Sequence, residues 1–274
     1  MKTAFNKTLM ASAFGLALLG GSQANAANLD FTFDTTAIPG STVAYTFNAD
    51  EMTWTSQGLS TVSVTDASGD GTLDGIDSFI EVGVVDIVSF QDNNTTLPGF
   101  TTGANFFYQL MVDFSLSGYT TLTPLGQLKA VFTGGSGTFW YDEALDSALN
   151  GTETAIAGIT SPGGDCLLNG PTSFAQGSCK IAFDFDLGVM APGVFTSTKT
   201  GLDLGLIPTT MVVDVNVNNL SPALEFVYPG GPGSVQTVGL DHDGSAVFVP
   251  EPGILALLGI GAFGLAGFTC KKRA

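Results

Sequence analysis

The chain has 274 residues, 25 acidic and 8 basic, for a net charge of −17, and its charged fraction of 12% is half the usual quarter. Between Ala27 and Val249 only Lys129, Lys180 and Lys199 face 24 acidic residues. This stretch, at about −21, repels nucleic acid and anionic lipid and attracts cations, which argues against DNA or RNA binding. With 36 glycines and 21 phenylalanines in a Thr/Ser/Asn-rich background, the composition points to strands and turns, not long helices or coiled coils.

At the start, Lys2 and Lys7 precede an apolar run from Leu9 to Leu19, and Ala24-Asn25-Ala26 follows with the small residues a signal peptidase needs. Residues 1–26 read as a secretory signal peptide, with a mature chain beginning at Ala27. From there to residue 249, alternation at period two recurs, clearest in Val43–Phe47, Thr61–Thr65 and Ile181–Leu187. Further strands are expected at Phe107–Leu116, Gln127–Thr133, Thr138–Tyr141, Thr210–Val217, Leu224–Tyr228 and Ser245–Phe248, separated by Gly, Pro, Asn and Asp. Only Asp142–Leu149 has a helical pattern. The expectation is an all-β fold, an antiparallel β-sandwich or jelly-roll-like ectodomain over residues 27–249, followed by one C-terminal hydrophobic helix. A split into two smaller β-domains near Ser161-Pro-Gly-Gly164 is the competing organisation.

Between the strand candidates Thr61–Thr65 and Phe79–Ile87 lies Asp66-Ala-Ser68-Gly-Asp70-Gly71-Thr72-Leu73-Asp74-Gly-Ile-Asp77. Over twelve positions it sets oxygen ligands at 1, 3, 5, 9 and 12, a glycine at 6 and the Thr72 carbonyl at 7, so it resembles an EF-hand or dockerin-type calcium loop. The metal ligands implied are Asp66, Ser68, Asp70, Thr72, Asp74 and Asp77. Asp77 stands where a longer bidentate Glu is usual, and the flanks read as strands, so a calcium loop on a β-hairpin is expected. An Asp/Gly-rich solvated turn is the plain alternative. From Thr8 to Leu128 there are twelve acids and no Lys or Arg, so these carboxylates lack a counter-charge nearby in sequence.

Cys166 and Cys179, in a Gly/Pro/Ser-rich segment of an exported chain, are expected to form a disulfide closing that loop, whereas Cys270 stands apart. Catalytic patterns are thin, and no catalytic residue is assigned. His242, in Leu240-Asp-His-Asp-Gly-Ser245, reads as an exposed turn histidine, and Asp184 and Asp186 as a solvated strand face. Trp54, Trp140 and Tyr141 are the aromatics a lectin groove would use, though core packing also accounts for them.

Val249-Pro250-Glu251-Pro252-Gly253 opens onto sixteen uncharged residues, Ile254–Thr269, and then Cys270-Lys271-Lys272-Arg273-Ala274. As a helix this run reaches about 24 Å, a little less than a ~30 Å hydrocarbon core, with the basic end kept cytoplasmic. Within it, Gly259, Gly261 and Gly264 spell a dinucleotide fingerprint without the strand it requires. The order Val-Pro-Glu-Pro, apolar helix and basic end resembles the PEP-CTERM sorting tail of exported proteins in Gram-negative bacteria that make exopolysaccharide. Pro250, Glu251 and Pro252 match the sorting motif. The resemblance implies an exosortase as processing partner, contact with the membrane through residues 250–274 before processing, and a destination at the cell surface or in the extracellular matrix. A permanent single-span anchor is the alternative for the same residues. The acidic Thr/Gly-rich domain, the Asp77-Ser-Phe-Ile-Glu81 run and the Cys pair resemble the flocculation-associated PEP-CTERM group. That resemblance implies a non-enzymatic protein promoting exopolysaccharide-associated aggregation into flocs or biofilm, with extracellular polysaccharide as partner. A lectin-like module or polysaccharide-active enzyme on the same fold is the competing class.

Overall fold

A computed structural model describes residues 28–54, 59–70, 73–146, 149–168, 176–186, 191–207, 209–219 and 232–250. In chain order its strands are β1 (Phe31–Asp34), β2 (Thr46–Ala49), β3 (Glu51–Trp54), β4 (Leu59–Thr65), β5 (Ser78–Asp92), β6 (Thr95–Thr96), β7 (Gln109–Leu122), β8 (Leu128–Asp142), β9 (Thr154–Leu168), β10 (Gln176–Asp186), β11 (Phe195–Ser197), β12 (Thr209–Asn219) and β13 (Val235–Pro250). One helical turn, α1 (Gly99–Thr102), lies between β6 and β7.

The large sheet runs β12-β10-β9-β8-β7-β5-β3-β13, and β13 pairs back onto β12 over eleven residue pairs. It is therefore a closed eight-stranded antiparallel barrel, not the expected sandwich or jelly roll. β4 lies between β13 and β5, as β3 does, nearer the opposite end of the wall. β1, β2 and β11 form a separate three-stranded sheet.

The sandwich expectation fails because segments that look like turns are bends inside long strands. Gln127–Thr133 and Thr138–Tyr141 are one strand, β8, and Ser161–Gly164 lies within β9 instead of dividing two domains. These bends sit side by side. The β7–β8 register shifts at Ser117/Gly118, the β8–β9 pairing resumes from Phe132↔Gly164 to Gly135↔Ser161, and β10 shifts at Ala182/Asp184. Bulges raise local twist and bend a strand. The shifts on β7–β8 and β9–β10 flank a gap in the β8–β9 pairing, and together they form a corner that lets the sheet curl and pair β12 with β13, leaving no edge there. At Gly135 a β-carbon would stand 2.5 Å from the Ser115 carbonyl oxygen, so the corner needs glycine for close approach.

The expected helix at Asp142–Leu149 does not form among its described residues. The Asp142 carboxylate takes the Ala144 amide at 2.8 Å, and Leu145 has a left-handed φ of 59°, both of which stop a helix from starting. Leu224–Tyr228, the signal peptide and residues 251–274 with their expected helix lie outside the described residues. Among the described residues no helix is long and apolar enough to cross a membrane.

The two barrel ends are built differently. Near Pro250, the small sheet lays Phe31 and Phe33 against the wall: Phe31 packs on Phe248 at 5.1 Å, and Phe33 on Phe195, Phe47, Phe90 and Tyr108 at 5.0–6.0 Å. This aromatic cluster covers the tail end of the barrel. At the far end the wall strands are joined through the β4–β5, β7–β8, β9–β10 and β12–β13 connections.

Candidate functional site

The Asp66–Asp77 loop is the β4–β5 connection: Thr65 pairs with Ser78 and Val64 with Phe79, which makes it a hairpin loop as the flanking pattern implies. It is held from within. Asp66 and Asp77 are fully buried. The Asp66 carboxylate accepts from Gly69 N–H at 2.5 Å and from the Ser68 hydroxyl at 3.1 Å, while that of Asp77 accepts from the amides of Ala67 and Asp74, both at 3.0 Å. The loop is also tied outward, since Thr120 donates its amide to the Asp77 carbonyl at 2.7 Å and its hydroxyl to the Asp74 carbonyl. Asp66 exchanges backbone hydrogen bonds with Gly233 and Ser234, just before β13. Gly69 is required twice over, for its φ of 78° and because a β-carbon there would strike Pro232. Leu73 is buried in the hydrophobic core.

In this arrangement Asp77 is used on two backbone amides, and the Asp74 carboxylate takes the Ile76 amide at 2.9 Å. Ser68 and Asp70 are exposed. Thr72 lies outside the described residues. Among the described residues no three Asp, Glu, His or Cys side chains are grouped to hold a metal ion.

Cys166 and Cys179 form a disulfide, in a place the sequence does not suggest. They face each other directly across the β9–β10 ladder, with Cα atoms 3.9 Å apart. Both are buried strand residues instead of members of a loop, and residues 169–175 between the two strands lie outside the described set.

His242 is not an exposed turn residue. It lies on β13, 5% exposed, where Leu240, His242, Gly244, Ala246 and Phe248 share the inward face by alternation. Its Nε2 stands 2.7 Å from Glu81 Oε1 and 2.5 Å from Ser60 Oγ, and the Ser60 hydroxyl donates to Glu81 Oε1 at 2.7 Å. Glu81 is in phase with Phe79 on β5, and Ser60 with Val62 and Val64 on β4, so three strands each place one polar residue on an apolar face. At Gly83 a β-carbon would lie 2.7 Å from that of Ser60, so glycine makes room for the cluster. The residue types match a hydrolase triad, but the hydroxyl and the carboxylate meet the same ring nitrogen, whereas a relay needs them on opposite ones.

The remaining candidates divide. Trp54 and Tyr141 are buried. Trp140 is half-buried and donates Nε1–H to Asp113 at 3.1 Å. Asp184 is partly buried and accepts from the Thr210 hydroxyl at 3.3 Å, which modifies the solvated-face expectation; the Asp186 side chain lies outside the described set. A groove of about 690 Å³ crosses the wall over β5, β7, β8 and β9, where Gly83, Ser115, Ser136, Gly137 and Gly158 leave it open, and neither Trp nor Tyr lines it.

A second carboxylate cluster lies at the tail end. Glu143 accepts from the Thr42 amide at 2.8 Å and hydroxyl at 2.5 Å and from the Ser41 and Tyr141 hydroxyls at 2.9 Å. Partial desolvation pushes its carboxyl up, but the hydrogen bonds from Thr42, Tyr141 and Ser41 outweigh this and hold it down at about 2. It clasps the segment before β2 to the end of β8.

β13 ends at Pro250, still paired with Thr209, so the barrel wall runs straight into Glu251 and Pro252. Residues 248–273 match the PEP-CTERM protein-sorting motif. The motif indicates exosortase-dependent export and sorting to the surface of a Gram-negative cell, with exosortase as the processing partner. The first matched residues of this PEP-CTERM tail are thus wall residues: Phe248 is fully buried in the aromatic cluster. No curated protein and no solved structure matches the chain.

Proposed function

We propose that the PEP-CTERM tail delivers a non-enzymatic barrel to the cell surface or extracellular matrix, where it promotes exopolysaccharide-associated aggregation. The observation that carries this reading is the direct continuity of the sorting motif with β13 of a closed, disulfide-cross-linked barrel. Cutting beyond Pro252 would leave every wall strand in place, so release or re-anchoring would not unfold the cargo. A matrix component must also survive without chaperones, and a closed sheet with a covalent cross-link suits that task.

An acidic exterior does not bind anionic polysaccharide unaided. Calcium is the bridge in this proposal, entering at the Asp66–Asp77 loop, where Ser68 and Asp70 are exposed, Asp74 is partly so, and the Thr72 carbonyl belongs to the expected set. Binding should be weak, with a dissociation constant on the order of 10⁻⁴ to 10⁻³ M. Polysaccharide could instead lie in the groove over β5–β9, whose small residues and hydroxyls favour a lectin-like reading.

The deciding experiment compares cells carrying the full gene with cells whose chain stops after Pro250. Intact mass of the surface and extracellular fractions should show a processed tail, and sedimentation in millimolar calcium should be faster for the full gene. A chain recovered intact to Ala274 outside the cell would refute processing. Equal sedimentation of the two strains would refute the aggregation role, and a groove-lining substitution such as Ser136→Trp that abolishes glycan-array binding would establish the lectin reading in its place.

A further inference from the structure

Three phenylalanines are exposed among the described residues, and all three lie in one loop: Phe100 at 77%, Phe106 at 63% and Phe107 at 50%. The loop joins β6 to β7 through α1, and it is pinned. Gly103 donates its amide to the Gly99 carbonyl at 2.6 Å, Asn105 its amide to the Tyr108 carbonyl at 2.7 Å, and Tyr108 its hydroxyl to the Thr102 carbonyl at 2.9 Å. Phe106 lies so close over Gly99 that a β-carbon there would fall 2.4 Å from its ring, and Phe107 stacks on Tyr45 at 5.7 Å. Apolar residues scattered singly over a surface need no explanation, but adjoining aromatics on a pinned loop mark a place of interaction.

The position of this loop in the barrel selects its partner. Val247 of β13 pairs with Glu51 of β3, and Glu51 with Gln91 of β5, so the ends of β13 and β5 stand at one level on the tail-end rim. Two strand spacings separate them, about 10 Å. On the other side of β13, Thr209 pairs with Pro250, and Leu202 and Leu206, exposed at 52% and 64%, shortly precede it. Apolar side chains therefore flank the exit of the chain at Pro250 on both sides. Only Glu251, Pro252 and Gly253 then separate Pro250 from the sixteen uncharged residues Ile254–Thr269, a reach of about 10 Å at full extension. With that run in a bilayer, the rim is held against the membrane surface.

We propose that, while the tail is unprocessed, this rim is seated on the bilayer, with Phe100 and Phe106 in the boundary between headgroups and acyl chains and Leu202 and Leu206 at the same depth across the exit. The seating depends on the reading that residues 254–269 lie in the membrane before processing. Phenylalanine and leucine are side chains that interfacial surfaces bury, with a strength that scales with apolar area. Lys199, exposed in the turn ahead of Leu202, can meet a headgroup phosphate, whereas Lys129 and Lys180 are paired with Asp165 and Asp214 on the wall. The short tether makes the contact effectively intramolecular, so a grip too weak to hold a free acidic barrel suffices while the tail is attached. Seating keeps Glu251 and Pro252 at the membrane surface. Once they are cut from the apolar run the tether is lost, and the negative charge of the barrel favours release.

The test uses the mature full chain, Ala27–Ala274, in phosphatidylcholine vesicles, with Cys270→Ser so that, Cys166 and Cys179 being bonded, an introduced cysteine is the only thiol. Nitroxide labels are placed singly by Thr101→Cys beside Phe100, by Leu125→Cys in the far-end β7–β8 turn, and by Leu258→Cys in the apolar run. Each is probed by collision with oxygen, which enters lipid, and with a nickel chelate, which does not. The label at 258 should be in lipid, and that at 125, where the native leucine is 88% exposed, in water. At 101 the nickel-to-oxygen ratio should be several-fold lower than at 125, and Phe100→Ser with Phe106→Ser should restore it to the aqueous value without moving the label at 258. A label at 101 as aqueous as that at 125, with 258 in lipid, would overturn this proposal alone. A label at 258 in water would overturn the membrane reading and the proposal with it. Shielding of 101 from both reagents would show a second copy covering the loop and would also overturn the proposal, as would a low ratio that survives the double serine variant.

Discussion

The two ends of the barrel are secured by unlike means. At the tail end, β1, β2 and β11 bring Phe31, Phe33, Phe47 and Phe195 onto the wall aromatics Phe90, Phe139 and Phe248 and onto Tyr108 just before β7, an apolar plug built from residues far apart in sequence. At the far end the ties are short-range: a disulfide between adjacent strands, and a twelve-residue loop closed on its own buried carboxylates. Apolar burial is non-directional and spreads its stabilisation over many contacts, whereas a cross-link or a buried carboxylate concentrates it on a few atoms. The tail end should therefore unfold only with the barrel, and the far end should open locally.

The largest effect is expected at the plug. Phe33→Ala removes a fully buried ring touching four other aromatic residues and should lower stability by about 4 kcal/mol, read from the urea midpoint. A loss under about 1 kcal/mol would mean that the small sheet is an appendage and would dissolve the contrast between the ends. Next comes the far-end cross-link. Cys166→Ala with Cys179→Ala should cost about 3 kcal/mol for a closed loop of this length. Hydrogen exchange should then quicken in β9 and β10 while β1 and β2 stay protected; uniform quickening would show that the ends are not independent.

The buried loop carboxylate follows. Asp77→Ala strands the amides of Ala67 and Asp74 and should cost about 2 kcal/mol by thermal melt, calcium absent. With calcium at ten times its dissociation constant the wild type should gain about 1.4 kcal/mol, and Asp70→Ala should remove that gain. A melting temperature indifferent to calcium and chelator would reduce the loop to a self-closed acidic turn.

The smallest effect concerns Glu143, a tail-end tie that resembles those of the far end. Its folded carboxyl titrates below the ordinary range, so it adds stability above the unfolded value, and that contribution fades as pH falls through about 2. Because the group is partly open to solvent, Glu143→Gln should cost about 1 kcal/mol at neutral pH. The difference between variant and wild type should shrink steadily as the solution is acidified from pH 4.5 towards 2. A difference constant across that range would assign its role to shape instead of charge.

Much of this was legible along the chain, for identifiable reasons. Alternation needs only neighbours, so Thr61–Thr65, Ile181–Phe185 and Thr210–Val217 declared themselves as strands, and the Asp66–Asp77 loop declared itself as the turn between two of them. The PEP-CTERM motif is a linear signal read by another protein, so it too was complete in one dimension. The His242–Glu81–Ser60 cluster left a trace, since each residue is in phase with apolar neighbours: His242 with Leu240 and Ala246, Glu81 with Phe79, Ser60 with Val62. Read in isolation, Asp-His-Asp-Gly looks like a turn, and that local likeness concealed the phase.

What the tertiary structure alone decided was closure. Gly134–Gly137 and Ser161–Gly164 have turn composition, and whether such a segment reverses the chain or bends a continuing strand depends on the strands beside it. Only when β7, β8, β9 and β10 lie in register do their separate irregularities become one corner, and only then can β12 reach β13. Strand pairing moved Cys166 and Cys179 from the expected loop to facing positions on the β9–β10 ladder. It also enclosed His242 beside Trp54, 188 positions away in sequence, because pairing across a sheet depends on register and not on distance along the chain.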